Sequence, residues 1–177
     1  METPTTDTNI EAFPRVGGVL HAEHVALPAI ATAIGTPCYV YAANTIRARY
    51  RQLEMAFAGV PHHIHFAMKA NSSLAILRLL QELGAGVDIV SGGELFRAHE
   101  AGFGGADIVF SGVGKTVREI EQALDEHVLL INVESEAELL TIEAVAAARD
   151  VIAPIAIRVN PEVTVETPHA YIKTGEK

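Results

Sequence analysis

The sequence predicts an α/β fold in which strands and helices alternate around one parallel sheet. From residue 36 onward the chain repeats a short apolar run, a turn and an amphipathic stretch. The runs have the length of strands, and the stretches between them carry apolar residues at the i, i+3, i+4 spacing of a helix. Because a helix links each strand to the next, the strands are expected to lie parallel to one another.

Six apolar runs are predicted as strands and five amphipathic stretches as helices. The strands cover residues 38–41, 64–68, 87–90, 107–110, 129–133 and 155–159. The helices cover residues 44–57, 74–83, 93–101, 117–125 and 136–148. Ser135 and Glu138 have the spacing of a capping box at the start of the last helix. Gly84 and Gly102 stand where helices commonly end in left-handed backbone.

The first part of the chain has a different character. Residues 1–35 are predicted to be an N-terminal extension that packs beside the repeat and does not form a domain by itself. Within it, residues 19–21 suit a strand, and residues 27–34 suit a short helix that ends at Gly35. The repeat, residues 36–177, is expected to form the main domain.

Strand and helix alternation leaves two sheet types open, a doubly wound sheet and a barrel. A dinucleotide-binding sheet needs a glycine fingerprint, and after Gly102 and Gly104 an aspartate, Asp107, stands where the last glycine belongs. Residues 111–116 end in the Gly-Lys-Thr of a P-loop, but Val109 occupies the position of its first glycine. Neither nucleotide motif is therefore complete.

Composition excludes several classes of function. The 177 residues include 13 basic and 22 acidic side chains, a formal net charge of −9, and no basic patch that would suit a nucleic acid. Cys38 is the only cysteine, so no disulfide framework is predicted. No run approaches the ~18 apolar residues of a membrane helix, and the N-terminus lacks a signal-peptide pattern. We expect a cytoplasmic protein.

Lys69 is the strongest catalytic candidate because it follows an apolar strand. Alternation along that strand places Ala67 and Lys69 on one face, and Phe66 and Met68 on the other. Burial at such a position would favour the neutral amine, which is the form that condenses with a carbonyl group. The pattern predicts a Schiff-base lysine.

Two further charges interrupt apolar strands. Asp88 lies opposite Val87 and Ile89, and Arg158 lies opposite its apolar neighbours in the last strand. With Lys69 they are expected to converge at the carboxyl ends of parallel strands, where barrel active sites form. The structural alternative stays open: Asp88 and Arg158 could form an ion pair, with Lys69 reaching solvent.

Other polar residues near these strands are weaker candidates. His63 and His65 share a strand face but have no clear third ligand, so no metal site is predicted. Glu94 follows two glycines at the start of a predicted helix. It suits the positive end of the helix dipole, and the glycines also permit a ligand to approach the backbone closely.

Seven blocks, taken in order, resemble the fold-type III pyridoxal-phosphate-dependent decarboxylases. They are GTPCYVY (35–41), FAMKAN (66–71), GVDIVSGGEL (86–95), FSGVGKT (110–116), NVES (132–135), IRVNP (157–161) and HAYIKTG (169–175). As a set they are specific, and they span nearly all of the chain after residue 17. The resemblance implies a partial (β/α)8 barrel of the alanine-racemase-like type, truncated before closure.

The resemblance also implies a cofactor and roles for four residues. Lys69 matches the lysine that holds pyridoxal 5′-phosphate, Asp88 and Arg158 match the polar network around it, and Glu94 matches a nearby acidic residue. An amino-acid substrate displaces the lysine and loses carbon dioxide into the electron sink of the cofactor. The branch that the chain resembles most decarboxylates meso-2,6-diaminopimelate to L-lysine, and a homodimer is implied for the full-length protein.

The length of the chain departs from this resemblance. A closed eight-stranded barrel takes ~250 residues, and the family's cofactor-facing histidine, glycine-rich phosphate loop and C-terminal β domain are missing from these 177 residues. We therefore expect an N-terminal portion that is inactive by itself. Three alternatives stay open: another decarboxylase or racemase of the type acting on ornithine, arginine or alanine, a non-catalytic barrel homologue, and a cofactor-free Schiff-base aldolase.

Overall fold

The structure is a computed structural model that describes residues 11–160, and its main feature is a five-stranded parallel sheet. The strands of this sheet are β4 (His65–Ala67), β5 (Gly86–Ile89), β6 (Ile108–Phe110), β7 (Leu130–Val133) and β8 (Ile155–Ile157). Before it lies a small antiparallel sheet of β1 (Arg15–Val16), β2 (Val19–Ala22) and β3 (Val25–Ala26). The sequence block at residues 169–175 and Pro161 lie outside the described residues.

Six α-helices lie in the described part of the chain. They are α1 (Leu27–Ile34), α2 (Ala43–Ala56), α3 (Leu74–Glu82), α4 (Gly92–Ala101), α5 (Val117–Asp125) and α6 (Glu136–Ala148). All five predicted helices of the repeat are present, as are the predicted strand and helix in the N-terminal region. Ser91, Thr116 and Ser135 each accept a hydrogen bond from the backbone N–H three residues later, which caps α4, α5 and α6.

The order of the strands decides between the two sheet types. The sheet runs β4-β5-β6-β7-β8, so each strand lies beside the next one in the chain, and every pair is parallel. Right-handed crossovers that always advance in one direction place all their helices on one face, whereas a doubly wound sheet reverses direction. The predicted barrel-type fold class is confirmed, as an open arc whose edge strands within residues 11–160 are β4 and β8.

The core lies between this sheet and helices α3 to α6. Its largest fully buried members are Met68, Leu77, Val87, Ile89, Leu95, Ile108, Phe110, Ile120, Ile131 and Ile142. On β5, Val87 and Ile89 are fully buried and Asp88 is not, as the alternation of strand side chains requires. The other face of the sheet therefore carries the polar residues of the strands.

The predicted first strand of the repeat, residues 38–41, is wrong. These residues follow α1 without forming a strand, and Tyr39 is 90% exposed. A β-strand needs a neighbour to satisfy its backbone N–H and C=O groups, and residues 38–41 have none among residues 11–160. An apolar run alone does not supply that neighbour.

The strand before Lys69 is shorter than predicted. β4 ends at Ala67, and residues Met68–Ala70 form a single turn of 3-10 helix. Lys69 therefore lies in this turn and not on the strand, so strand alternation does not set its direction. Among residues 11–160, no helix is both long and apolar enough to cross a membrane.

Candidate active site at the carboxyl ends of the strands

The candidate site is formed by the segments that follow β4 to β8. Parallel strands that are adjacent in a sheet end at the same edge, so the residues after them come together. These residues are Lys69 after β4, Ser111 after β6, Glu134 after β7 and Arg158 after β8, with Asp88 on β5 itself. The edge thus gathers two cations, two carboxylates and a hydroxyl group from five separate segments.

Lys69 and Asp88 face each other, as the sequence predicted. The Nζ atom of Lys69 lies 3.9 Å from Oδ2 of Asp88, and their side chains are 61% and 23% exposed. The predicted burial of Lys69 is wrong, because the 3-10 turn carries it beyond the packed end of β4. Its amine is open to solvent and can be reached by a small molecule.

A hydrogen-bond chain orients Asp88 from the two neighbouring strands. The Ser111 hydroxyl donates to Oδ1 of Asp88 through a very short contact, and Nδ2 of Asn132 donates to the Ser111 oxygen over 2.8 Å. One oxygen of Asp88 is therefore held by Ser111, while the other faces Lys69. These hydrogen bonds link β5, the end of β6 and β7 across the polar face of the sheet.

Sequence reasoning missed Ser111 and Asn132, although a signal was present. Asn132 alternates with Ile131 and Val133, both buried, just as Asp88 alternates with its apolar neighbours. Strand alternation marks an uncharged polar residue between two buried ones as clearly as it marks a charged one, so the pattern around Asn132 was sufficient to predict its direction.

Arg158 pairs with the carboxylate of Glu134 and not with that of Asp88. Its Nη1 donates to Oε2 of Glu134 over 2.9 Å, and its backbone N–H donates to the carbonyl of Val133 over 2.9 Å. The structural alternative, an ion pair between Arg158 and Asp88, does not form, because β6 and β7 lie between β5, which carries Asp88, and β8, which precedes Arg158. The other oxygen of Glu134 accepts from the backbone N–H of Gly112 over 2.9 Å.

Glu94 lies in the first turn of α4, as expected. Its Oε2 accepts a hydrogen bond from the backbone N–H of Val90 over 2.7 Å, and its own N–H donates to the capping hydroxyl of Ser91. The same arrangement recurs at α6, where Glu138 accepts from the N–H of Glu134 over 2.7 Å. In both places the glutamate orders the backbone between a strand end and the following helix.

Glu119 links two of these helix starts. Its carboxylate accepts from the backbone N–H groups of Thr116, at 2.9 Å, and Gly92, at 2.7 Å. These two N–H groups, Thr116 first, lower the pKa of Glu119 below its usual value of 4.5. The negative charge therefore sits at the N-termini of α4 and α5, where the helix dipoles favour it.

His65 lies at the opposite end of the strands from Lys69. Burial chiefly, with the neighbouring His63, lowers its pKa, and Asp88 and Asp107 raise it by less. A Cβ added at Gly86 would collide with the His65 ring and lie 2.6 Å from the carbonyl oxygen of Asp107. Glycine at position 86 is what lets the imidazole lie across β5.

A cavity of about 620 Å³ runs along β4 on the side of α2. Its lining is mainly apolar, and it contains two buried polar atoms without a partner among the described residues, Oγ1 of Thr45 and Nε2 of His65. It offers neither a lysine amine nor a carboxylate. Carbonyl chemistry therefore belongs to the strand ends around Lys69 and not to this groove.

The residues at the strand ends fit a cofactor that binds through a carbonyl group. Lys69 and Lys115 are the two lysines within residues 11–160, and the Lys115 side chain is only 1% exposed. Lys69 alone of this pair presents an accessible amine, and it does so beside a carboxylate whose orientation is set by hydrogen bonds. This is the donor set that pyridoxal phosphate needs for covalent attachment.

Comparison with known proteins agrees with this chemistry. Residues 43–177 match the family described as pyridoxal-dependent decarboxylase, pyridoxal binding domain. The diaminopimelate decarboxylase of Pseudomonas fluorescens is 52% identical over 169 residues, which are 95% of this chain and 40% of that protein. The chain thus spans well under half the length of this curated relative.

Two solved structures show the same fold. Diaminopimelate decarboxylase from Helicobacter pylori, in complex with L-lysine, superposes with a TM-score of 0.81 at 45% identity, covering 85% of this chain and 38% of that one. The enzyme from M. jannaschii, also in complex with L-lysine, gives a TM-score of 0.83 at 34% identity, with 87% and 37% covered. The chain therefore belongs to the pyridoxal-dependent decarboxylase family, through its pyridoxal-binding domain.

Proposed function

We propose that this chain acts in the pyridoxal-phosphate-dependent decarboxylation of meso-2,6-diaminopimelate to L-lysine and carbon dioxide. The observation that carries the proposal is the accessible Lys69 amine, 3.9 Å from the Asp88 carboxylate at the carboxyl ends of parallel strands. The choice of substrate is supported by relatives named diaminopimelate decarboxylase at 52% and 46% identity. When bound, the cofactor would supply the electron sink for loss of the carboxyl group.

Lys69 is the residue to which the cofactor's carbonyl carbon would attach. Because 61% of its side chain is exposed, the amine can reach a carbonyl without any rearrangement of the strand. The Asp88 carboxylate stabilises a positive charge on the same nitrogen, before and after attachment. Lys69 would also be the nearest base or acid for protons moved at the reacting carbon.

Asp88, Arg158 and Glu94 would complete the cofactor-binding set. Asp88 is held in place by Ser111 and acts directly beside the amine. Arg158 is 51% exposed, and Glu134 is the one side-chain partner of its guanidinium among residues 11–160, so other N–H groups could bind an anionic group of cofactor or substrate. Glu94 would act through the backbone of Val90, which it orders.

The proposal also covers the domains of the chain, its compartment and its oligomeric state. We place an N-terminal extension at residues 1–35 and the cofactor-binding barrel domain at residues 36–177. The formal net charge of −9 and the single cysteine are compatible with a cytoplasmic enzyme. A homodimer rests on the family resemblance alone.

To test the proposal, residues 1–177 are fused to the C-terminal remainder of the Pseudomonas fluorescens relative. Carbon dioxide release by the fused protein is then measured. We expect release from meso-diaminopimelate, and a loss of about a thousandfold or more in Lys69→Ala, because the amine that would hold the cofactor's carbonyl carbon, ready for exchange with the substrate's amine, is gone. The 177-residue chain by itself is expected to be inactive.

Substrate controls decide between the proposed function and its alternatives. Ornithine and arginine are offered to the same fused protein at equal concentration. Faster release from either one would assign the chain to another decarboxylase of the family. Undiminished release in Lys69→Ala would contradict the role of Lys69 itself.

A further inference from the structure

Lys115 is a buried lysine for which the proposed reaction has no direct use. It lies in the loop between β6 and α5, and its side chain is 1% exposed, with Nζ 5.8 Å from the centre of the Phe110 ring. A charge at such a depth is tolerated only when it is fully paired. The Gly-Lys-Thr ending that resembled a P-loop therefore does not present its lysine to a phosphate.

The Lys115 ammonium group has three partners. It donates to the carbonyl of Gly112 over 2.8 Å, to the carbonyl of Asn132 over 2.7 Å and to Oε1 of Glu138 over 3.0 Å. An ammonium group has three N–H bonds, so all of its donors are used. Its acceptors come from the loop after β6, from β7 and from the first turn of α6.

These bonds form part of a closed ring. Glu138 also accepts from the backbone N–H of Glu134, and Glu134 accepts from the backbone N–H of Gly112, whose carbonyl returns to Lys115. The ring ties the end of β6 to the end of β7 at four residues. Its two carboxylates and one ammonium are mostly buried, with Glu138 10% and Glu134 9% exposed.

The ring adjoins the residues that orient Asp88. Ser111 immediately precedes Gly112, and the carbonyl of Asn132 is itself bonded to Lys115. Ser111 and Asn132 are the two members of the hydrogen-bond chain that ends on Asp88. A shift of either backbone segment would therefore turn the carboxylate.

We propose that Lys115 is a positioning residue: by tying the end of β6 to the end of β7, it directs the Asp88 carboxylate toward Lys69. Its effect on cofactor binding rests on the proposed function of Lys69. Its effect on the two backbone segments does not, and the two effects are measured separately.

The test compares three variants of the full 177-residue chain. Lys115→Met removes the ammonium group and keeps a stem of similar length. Ile142→Ala opens a cavity beside α6, where Ile142 is 1% exposed in the core, and lowers stability while keeping every donor and acceptor of the ring. Arg118→Met removes an exposed positive charge from the adjacent helix, α5, and controls for net charge.

The first measurement is hydrogen exchange at the Gly112 and Glu134 amides, each divided by exchange at Ile89, a fully buried residue of β5. In Lys115→Met we expect both ratios to rise by about tenfold or more, since local opening becomes easier than global opening. Both control variants should leave the ratios unchanged. Unchanged ratios in Lys115→Met, or an equal rise in Ile142→Ala, would overturn the proposal.

The second measurement is pyridoxal phosphate affinity, followed by absorbance at a temperature where every variant is folded. Lys115→Met should weaken affinity by about tenfold or more, since small misplacements of a binding group have effects of this size. Ile142→Ala should bind as the original chain does. Equal weakening in both variants would reduce Lys115 to a purely structural role. Absence of binding by the original chain would contradict the proposed function, and the exchange ratios would still decide the role of Lys115.

Discussion

Lys69 and Lys115 stand at the same edge of one sheet, yet their surroundings are opposite. Lys69 is 61% exposed and faces one carboxylate oxygen at 3.9 Å, whereas Lys115 is 1% exposed and has three acceptors within 3.0 Å. The first arrangement leaves an amine free to react, and the second uses every N–H of the ammonium group for structure. Accessibility and spare bonding capacity, more than residue type, separate the chemical lysine from the structural one.

Neutralising the carboxylate partner of each lysine tests this contrast. One of the two substitutions has the largest effect on stability that we expect. Glu138→Gln leaves the buried Lys115 without an ionic partner, and we expect it to lower the free energy of unfolding by about 3 kcal/mol. Asp88→Asn removes a charge from an exposed pair, so its cost should stay below about 1 kcal/mol. Urea unfolding followed by circular dichroism measures both.

Equal costs for the two carboxylate variants would contradict the contrast. Asp88→Asn is expected to act on chemistry instead, with slower covalent attachment of pyridoxal phosphate at Lys69. The matched pair therefore separates the two lysines by stability and by reactivity in the same proteins.

A glycine substitution tests the far end of the same strands, away from both lysines. Gly86→Ala would push a methyl group into the His65 ring and the Asp107 carbonyl, and we expect about 2 kcal/mol of destabilisation from this overpacking. Gly59→Ala is the matched control, because nothing lies within 4 Å of an added Cβ there and it adjoins neither lysine. A Gly86→Ala protein as stable as the control would show that the imidazole can move aside.

Glu119 gives the smallest expected effect on stability, and that effect depends on pH. Backbone N–H groups lower the pKa of Glu119 in the folded chain, so the stability it contributes is present above its usual value of 4.5 and is lost as pH falls through the lowered value. The stability difference between the original chain and Glu119→Gln should therefore be largest near neutral pH and shrink below about pH 4.5. Glu143→Gln, at an exposed position of α6, serves as control.

The sign of the Glu119 effect is open to a direct check by thermal unfolding at several pH values. A stability difference that grows as the solution becomes more acidic would contradict the hydrogen bonds from Thr116 and Gly92. The same result would also contradict the role of Glu119 in joining the starts of α4 and α5.

Regular features of the fold were accessible from the sequence because they follow from local geometry. The helices of the repeat and the Ser135 cap of α6 were predicted from apolar spacing and cap position, and the direction of Asp88 from strand alternation. Each depends on residues a few positions apart in the chain. The predicted meeting of Lys69 and Asp88 also held, since adjacent parallel strands share an edge.

Features that depend on neighbours in space were predicted less well. The strand expected at residues 38–41 has no partner to pair with, and the order of strands gives Arg158 to Glu134 instead of Asp88. The exposure of Lys69 follows from one 3-10 turn that begins at Met68, a detail that alternation does not encode. The buried ring around Lys115 joins residues up to 23 positions apart and carries no local signature.

Borohydride reduction of the full chain with equimolar pyridoxal phosphate, followed by peptide mapping, tests the central claim most directly. Reduction makes the bond between cofactor and lysine permanent, so the labelled position can be read by mass. The contrast between the two lysines predicts label on Lys69, none on Lys115, and less label on Lys69 in Asp88→Asn. Label on Lys115, or an unlabelled Lys69, would contradict it.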